Sequence, residues 1–276
     1  MQDTRIKENE EIHDLISSEY EGRHGEIFNK VEQARLSKEI RSLNSYLNTR
    51  ADKLIALDIG CGSGNVTNHL LEAGYQVIAS DVSNKFLDLV AGKFNEDDLS
   101  VFKLNGIDLK GVESASVDLV VMYSVLHHIP DYLKILEECV RVVKDGGVIY
   151  IDHEHNDDFW ADMELYSKYK AAKRRDVTIS DLLLKYINPL NYYTFLKRKI
   201  MLTVNPRYQP EGDIHVFKDD HIEWSKINEV FSKHNLSVIK DLDYLHFQSD
   251  CKHSTFLKYE GLVTDMKLLV AQKKST

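Results

Sequence analysis

The chain has 276 residues, 43% of them hydrophobic and 29% charged, with a formal net charge of −9; this suits a globular protein with one substantial core and excludes a collagenous or low-complexity chain. The acidic balance argues against nucleic acid as a partner. Three scattered cysteines, Cys61, Cys139 and Cys251, exclude an even disulfide framework and a zinc pattern. The opening Met1-Gln2-Asp3-Thr4-Arg5-Ile6 lacks a basic and then apolar leader, and no apolar run reaches the roughly 20 residues that span a bilayer. A cytoplasmic protein is therefore expected. Residues 1–50 carry apolar positions at helical spacing, including Val31, Leu36, Ile40 and Leu43, and predict an N-terminal helical cap.

From residue 53 apolar runs and helical segments alternate. Lys53 to Ile59 suits a buried parallel strand, and Asn65 to Leu71 begins a helix, so Gly60, Gly62 and Gly64 fall in a strand-to-helix turn. Glycine there permits positive φ and removes the Cβ atoms that would keep a ligand from the backbone. The helix that follows points free N–H groups at whatever binds. Further strands are predicted at Tyr75 to Asp81, Leu99 to Leu104, Val117 to Tyr123 and Val148 to Ile151. The C-terminal stretch supplies two more strands, Leu236 to Leu242 and Met266 to Ala271. The expected fold is α/β, a Rossmann-like, seven-stranded, mostly parallel sheet with helices on both faces.

The glycine spacing narrows the ligand. Dinucleotide folds use Gly-x-Gly-x-x-Gly, whereas here the third glycine comes one residue early and Asn65 holds its place. The string Asp58-Ile59-Gly60-Cys61-Gly62-Ser63-Gly64 resembles motif I of the class I S-adenosylmethionine-dependent methyltransferases, and four later segments resemble that family in the same order. The resemblance covers residues 51 to about 154, with a weaker match at the C-terminus, where the last two strands fit the family's closing antiparallel pair and Trp224 to His234 the helix before them. It implies that Asp58 holds the turn and orients the methionine ammonium while Gly60, Gly62 and Gly64 admit S-adenosylmethionine. It implies that Asp81, at the end of the second strand, grips the ribose. After the third strand the family places an Asp against the adenine amine; here Asn105 or Asp108 takes that role, and Asn105 is preferred as nearer the strand end. Ile107 and Tyr123 complete the expected cofactor site. Tyr20 and His24 of the cap either reach the methionine end or merely pack.

The units expected are a cap at 1–50, the cofactor-binding core at 51–155, a helical insertion after the fifth strand at 156–220, and a C-terminal helix and strand pair at 221–276. Within residues 168–199 the insertion holds nine basic residues, among them Lys173, Arg174 and Arg175, against Asp176 and Asp181. Tyr166, Tyr169, Tyr186, Tyr192, Tyr193 and Phe195 are interleaved with them. Either this segment recognises an anionic acceptor with peripheral contact to an anionic membrane, or its apolar face packs inward and its lysines stay solvated.

Methyl transfer to a hydroxyl needs alignment and a base, and histidine is poised for that near neutral pH. His128 follows the fourth strand at the ligand-binding edge of the sheet. The ubiquinone-pathway O-methyltransferases resemble this loop but carry Glu-x-x-Glu-His for a divalent metal; here the positions read Ser124, His127 and His128, so that metal site is not expected, and for Asp152 to His155 substrate contact ranks above metal binding, which would need further ligands. Asp152-His153-Glu154-His155 ends the fifth strand, where regular alternation would put His153 and His155 on one face. Glu154, His155 and the loop residue His215 are the further catalytic candidates. The reading is methyl transfer, most readily to oxygen, onto a small-molecule or lipid- or glycan-linked acceptor. A nicotinamide-dependent oxidoreductase and a non-catalytic cofactor-binding partner are the alternatives, and the sequence assigns no oligomeric state.

Overall fold

In a computed structural model of the chain, residues 2–47, 53–94, 96–161, 163–173, 199–249 and 251–275 are described. Helices α1 (Gln2–Ile16) and α2 (Tyr20–Arg23) precede α3 (Lys30–Leu43). Asn29 caps α3 by accepting from the Val31 and Glu32 N–H groups at 3.0 Å. The periodic Leu36, Ile40 and Leu43 are fully buried with Leu70 and Tyr75 of the core. The N-terminal segment thus divides: α3 covers one face of the sheet, while α1 sends Ile6, Asn9 and His13 to the strand ends.

Strand β1 (Ile55–Ile59) leads into α4 (Asn65–Glu72), and β2 (Gln76–Asp81) into α5 (Asn84–Lys93). Then come β3 (Leu99–Lys103), β4 (Val117–Tyr123), α6 (Tyr132–Val142) and β5 (Val143–His155). All of β4 is buried, as expected for a parallel strand covered on both faces. Its one charge, Asp118, pairs with Lys144 at 2.9 Å and accepts from the Ile55 N–H. Past β5 stand α7 (Asp157–Trp160), α8 (Glu164–Lys173) and the small pair β6 (Val216–Phe217) and β7 (Asp220–His221). The chain closes with α9 (Trp224–Lys233), β8 (Leu236–Tyr244), α10 (His253–Tyr259) and β9 (Met266–Lys273).

The seven-stranded sheet has the order β3-β2-β1-β4-β5-β9-β8, with β9 antiparallel to both neighbours. The order reverses between β1 and β4, which opens a crevice at the carboxyl ends of those strands.

Two features depart from regular alternation or from the expected insertion. Where β5 pairs with β9, Ile151 faces Leu269 but Glu154 faces Lys267, so β5 carries one extra residue in a bulge. His153 sits in that bulge at φ +62°. As a result His153, Glu154 and His155 all border one pocket, where two alternating faces were expected. Within the insertion, Tyr166 and Tyr169 of α8 are buried against Phe256 of α10 and Cys251 rather than presented outward. Arg174, Arg175, Lys185, Lys197 and Arg198 lie outside the described residues, and with them most of the basic cluster on which the anionic-surface reading rests. Among the described residues no helix is long and apolar enough to cross a membrane.

Candidate functional site

The crevice at the β1/β4 reversal is a cleft lined by the ends of these strands and by α1, the place where open α/β sheets bind their ligands. Gly60 and Gly62 floor it, Asp81 and Val82 stand at one side, Gly106 and Asp108 at the far end, and Tyr20, Asn9 and His13 close it from above. Gly62 has φ +49°, and a Cβ there would meet nothing nearer than Tyr20 Cε1 at 3.8 Å. That open space is the room a ligand needs to approach the backbone. Gly64 serves the fold instead. At φ +87° it turns the chain into α4, and a Cβ would strike Phe94 at 2.7 Å, so it borders packed side chains and not the cleft.

Asp81 is 6% exposed and accepts from the Gly62 N–H at 3.0 Å and the Ser83 N–H at 2.7 Å. Burial pushes its pKa up, partly offset by those two N–H donors. Asp58 lies beneath the turn, fully buried, and accepts from the Thr67 hydroxyl at 2.7 Å; burial raises it to about 7. It braces the turn and does not line the cleft. Asn105 also looks inward: its Oδ1 accepts from the Ile107 and Asp108 N–H groups, and its amide donates to Asp108 at 2.9 Å. Asp108, held down to about 2 by Asn105 and Lys110, is the residue of that loop whose carboxylate belongs to a cleft-lining position. Ile107 is not in the cleft wall. Tyr123 is turned to the opposite side of the sheet, where its ring stacks on His153 with centroids 4.9 Å apart. Tyr20 does line the cleft, packed edge-on to Phe86 at 5.2 Å and against His24 at 4.2 Å.

Residues of α1 that sequence reasoning did not single out complete this wall. Asn9 donates to His128 Nδ1 at 3.2 Å, and its Oδ1 pairs with His13 Nδ1 at 2.8 Å. Burial lowers the pKa of both His13 and His128. The described lining holds two carboxylates and no lysine or arginine. A cationic sulfonium ligand fits that balance, whereas a pyrophosphate would find no cation to pair with.

A second pocket, of about 560 Å³, adjoins the cleft and shares Ser124 with it. His127, His153, Glu154, His155, Asp213 and His215 supply its polar wall, and Trp160, Val216, Ile222 and Met266 its apolar one. Three of the four catalytic candidates therefore meet here, while His128 faces the cleft. His155 donates through Nδ1 to the Asp265 carbonyl at 3.2 Å and stacks on Phe159 at 3.5 Å, which leaves Nε2 unprotonated. Burial lowers its pKa. His215 has both ring nitrogens engaged, with Asp220 at 2.6 Å and the Ile129 carbonyl at 3.1 Å, so it anchors its loop.

His127 Nδ1 pairs with Glu154 at 2.8 Å, and Glu154 also accepts from the Leu126 N–H. Burial opposes the charge on His127, but Glu154 outweighs it and lifts the pKa to about 9. Among the described residues, His127, His128 and Asp213 bring potential metal-ligating atoms within 4.8 Å of one another. One carboxylate, Asp213, thus reaches the loop's histidines from the return of the insertion, which no spacing within the loop could reveal.

Residues 57–151 match the family model of a methyltransferase domain. The ubiquinone biosynthesis O-methyltransferase of Xanthomonas oryzae pv. oryzae is 29% identical over 122 residues, 41% of this chain and 51% of that protein. The chain spans about half the length of the curated relatives it matches. An S-adenosylmethionine-dependent methyltransferase from Mesorhizobium loti superposes with a TM-score of 0.53 at 14% identity, over 84% of this chain and 96% of that one. The [4+2]-cyclase SpnF superposes with the same TM-score at 12% identity, over 88% and 81%. Residues 57–151 thus match a methyltransferase domain, and the fold is one that solved S-adenosylmethionine-dependent methyltransferases share. A cyclase on the same fold shows that the fold alone does not set the reaction.

Proposed function

We propose that the chain transfers a methyl group from S-adenosylmethionine to a hydroxyl of a small aromatic acceptor. The observation that carries this reading is the pair of pockets meeting at Ser124, one suited to a cationic ligand and the other bearing a histidine whose free nitrogen can take a proton. Gly60, Gly62, Asp81, Gly106 and Asp108 would hold the cofactor, with Tyr20 and His13 closing over it. When bound there, S-adenosylmethionine supplies a methyl carbon already activated by its sulfonium. Trp160 and the His155 and Phe159 stack offer a flat wall for an aromatic ring, and the name of the Xanthomonas relative supports oxygen as the atom methylated. His155 Nε2 receives the hydroxyl proton and passes it to solvent at the pocket mouth.

His155→Ala should lower turnover of catechol by roughly 10²-fold, the contribution of a positioned base, with cofactor affinity unchanged. Near-normal turnover would remove His155 from the reaction. Asp81→Ala should weaken S-adenosylhomocysteine binding by about 1.5 to 3 kcal/mol, the scale of hydrogen bonds to a charged group; calorimetry finding wild-type affinity in a folded variant would remove Asp81 from the site.

The histidines also set a pH window. His13, His69, His153 and His155 have folded pKa values below 6.5 because burial disfavours the cation. Below pH 6.5 the unfolded chain binds more protons at these sites, so stability falls as pH drops. His127, raised to about 9, contributes stability that is full below pH 6.5 and lost as pH rises through about 9. Urea midpoints should therefore peak near pH 6.5, falling as the pH drops below it and again as it rises from there towards about 9, and a midpoint that keeps rising as the pH falls below 6 would contradict the assignment.

A further inference from the structure

The two residues at the junction of the pockets both hold backbone conformations that suit glycine. Ser124, at the end of β4, has φ +54°, and His153, in the β5 bulge, has φ +62°. Side chains at such positions cost free energy that glycine would avoid, and strained residues of this kind concentrate where function demands them. The two are tied together. The Ser124 N–H donates to the Asp152 carbonyl at 3.0 Å, the His153 N–H is held by the Asp152 carboxylate at 2.7 Å, and the Ser124 hydroxyl meets His153 Nδ1 at 3.3 Å. His153 is 6% exposed, its ring clamped between Tyr123 and His246, and Nε2 has no hydrogen-bond partner among the described residues. Among the described residues, Ser124 alone borders both the cleft and the second pocket.

We propose that Ser124, oriented by His153, is the residue that holds the acceptor hydroxyl at the junction of the two pockets, in line with the transferable methyl group. The inference rests on the methyl-transfer reading above and assigns a positioning pair to it. The bond to Nδ1 fixes the Ser124 hydroxyl rotor, and in either tautomer of His153 Oγ keeps a further hydrogen-bonding position for the acceptor. Burial and the neighbouring His246 keep His153 uncharged, so the pair places no cation beside the sulfonium. The bulge is what makes this geometry available, since it re-aims His153 toward the loop after β4.

Glycine variants separate positioning from structure, because glycine is the residue best suited to both conformations. Ser124→Gly should melt at or above the wild-type temperature, His153→Gly should stay folded while losing the packing of its buried ring, and both should bind S-adenosylhomocysteine within twofold of wild type. Turnover of catechol and 3,4-dihydroxybenzoate should fall at least tenfold in kcat for each, since a slightly misplaced reactant is costly. The double variant should be no worse than the weaker single one, and His153→Asn, which tolerates the left-handed conformation and keeps a polar group in reach, should recover most of the loss. Glycine variants with turnover within twofold of wild type would overturn the proposal. So would a lowered melting temperature of Ser124→Gly or lost S-adenosylhomocysteine affinity in either variant, which would make the pair a brace of the fold. A wild-type protein that binds S-adenosylhomocysteine yet methylates neither compound would overturn the O-methyltransferase reading itself, and this inference with it.

Discussion

Replacing Arg35 with Met should destabilise the protein by about 3 to 5 kcal/mol, the cost of leaving buried carboxylates without their partner. Arg35 projects from α3, where its Nη1 reaches Asp152 at 3.0 Å and its Nε reaches Glu32 at 2.8 Å. Asp152 has no exposed surface, and Glu32 has 1%. The guanidinium also lies 4.0 Å from the centre of the Tyr244 ring, and the Tyr244 hydroxyl donates to Asp152 at 2.8 Å. Methionine keeps much of the stem's packing, so the loss reports the charge. Two stranded carboxylates are relieved by protonation, so the variant should lose more stability at pH 8 than at pH 5. A urea titration reads both effects. A variant within about 1 kcal/mol of wild type would mean that the Tyr150 and Tyr244 hydroxyls and the His153 N–H alone satisfy Asp152.

Gly62→Val should abolish cofactor binding, raising the dissociation constant of S-adenosylhomocysteine at least 100-fold, about 2.7 kcal/mol. At φ +49° the valine Cβ would project into open cleft with Tyr20 as its nearest neighbour, so its methyl groups would occupy the ligand's space. Strain adds a second effect, since a β-branched side chain is poorly accommodated in a left-handed conformation. Gly62→Ala divides the two: it carries the left-handed strain of roughly 1 to 2 kcal/mol with a much smaller intrusion. Calorimetry on both variants, beside their melting temperatures, should show Ala weakened and Val silent. Near-normal affinity in Gly62→Val would place the ligand elsewhere.

The sheet is readable in the sequence because buried parallel strands appear as unbroken apolar runs, as in Val117 to Tyr123, and because glycines punctuate the first turn. What escapes the sequence depends on contacts between distant segments. Nothing in the charged α1 marks Asn9 and His13 as cleft residues, because their role comes from where α1 lies. The bulge at His153 exists only in the pairing of β5 with β9, so alternation along β5 alone gives the wrong faces. Closeness to the strand end favours Asn105 over Asp108, but the Asn105 side chain is spent on the loop's own N–H groups. The family resemblance assigns Tyr123 to the cofactor, yet the alternation of β4 turns it to the other face. Helical periodicity likewise marks Leu36 and Ile40 as core but cannot show that Arg35 and Glu32 fold inward with them.

The most direct test of the central claim is calorimetric titration of the wild-type chain with S-adenosylhomocysteine, repeated with NAD. The expected result is one molecule of S-adenosylhomocysteine bound per chain, binding that disappears in Gly62→Val, and no heat from NAD at the same concentrations. No binding of S-adenosylhomocysteine at millimolar concentration, or binding of NAD that the same substitution removes, would contradict the assignment of the cleft.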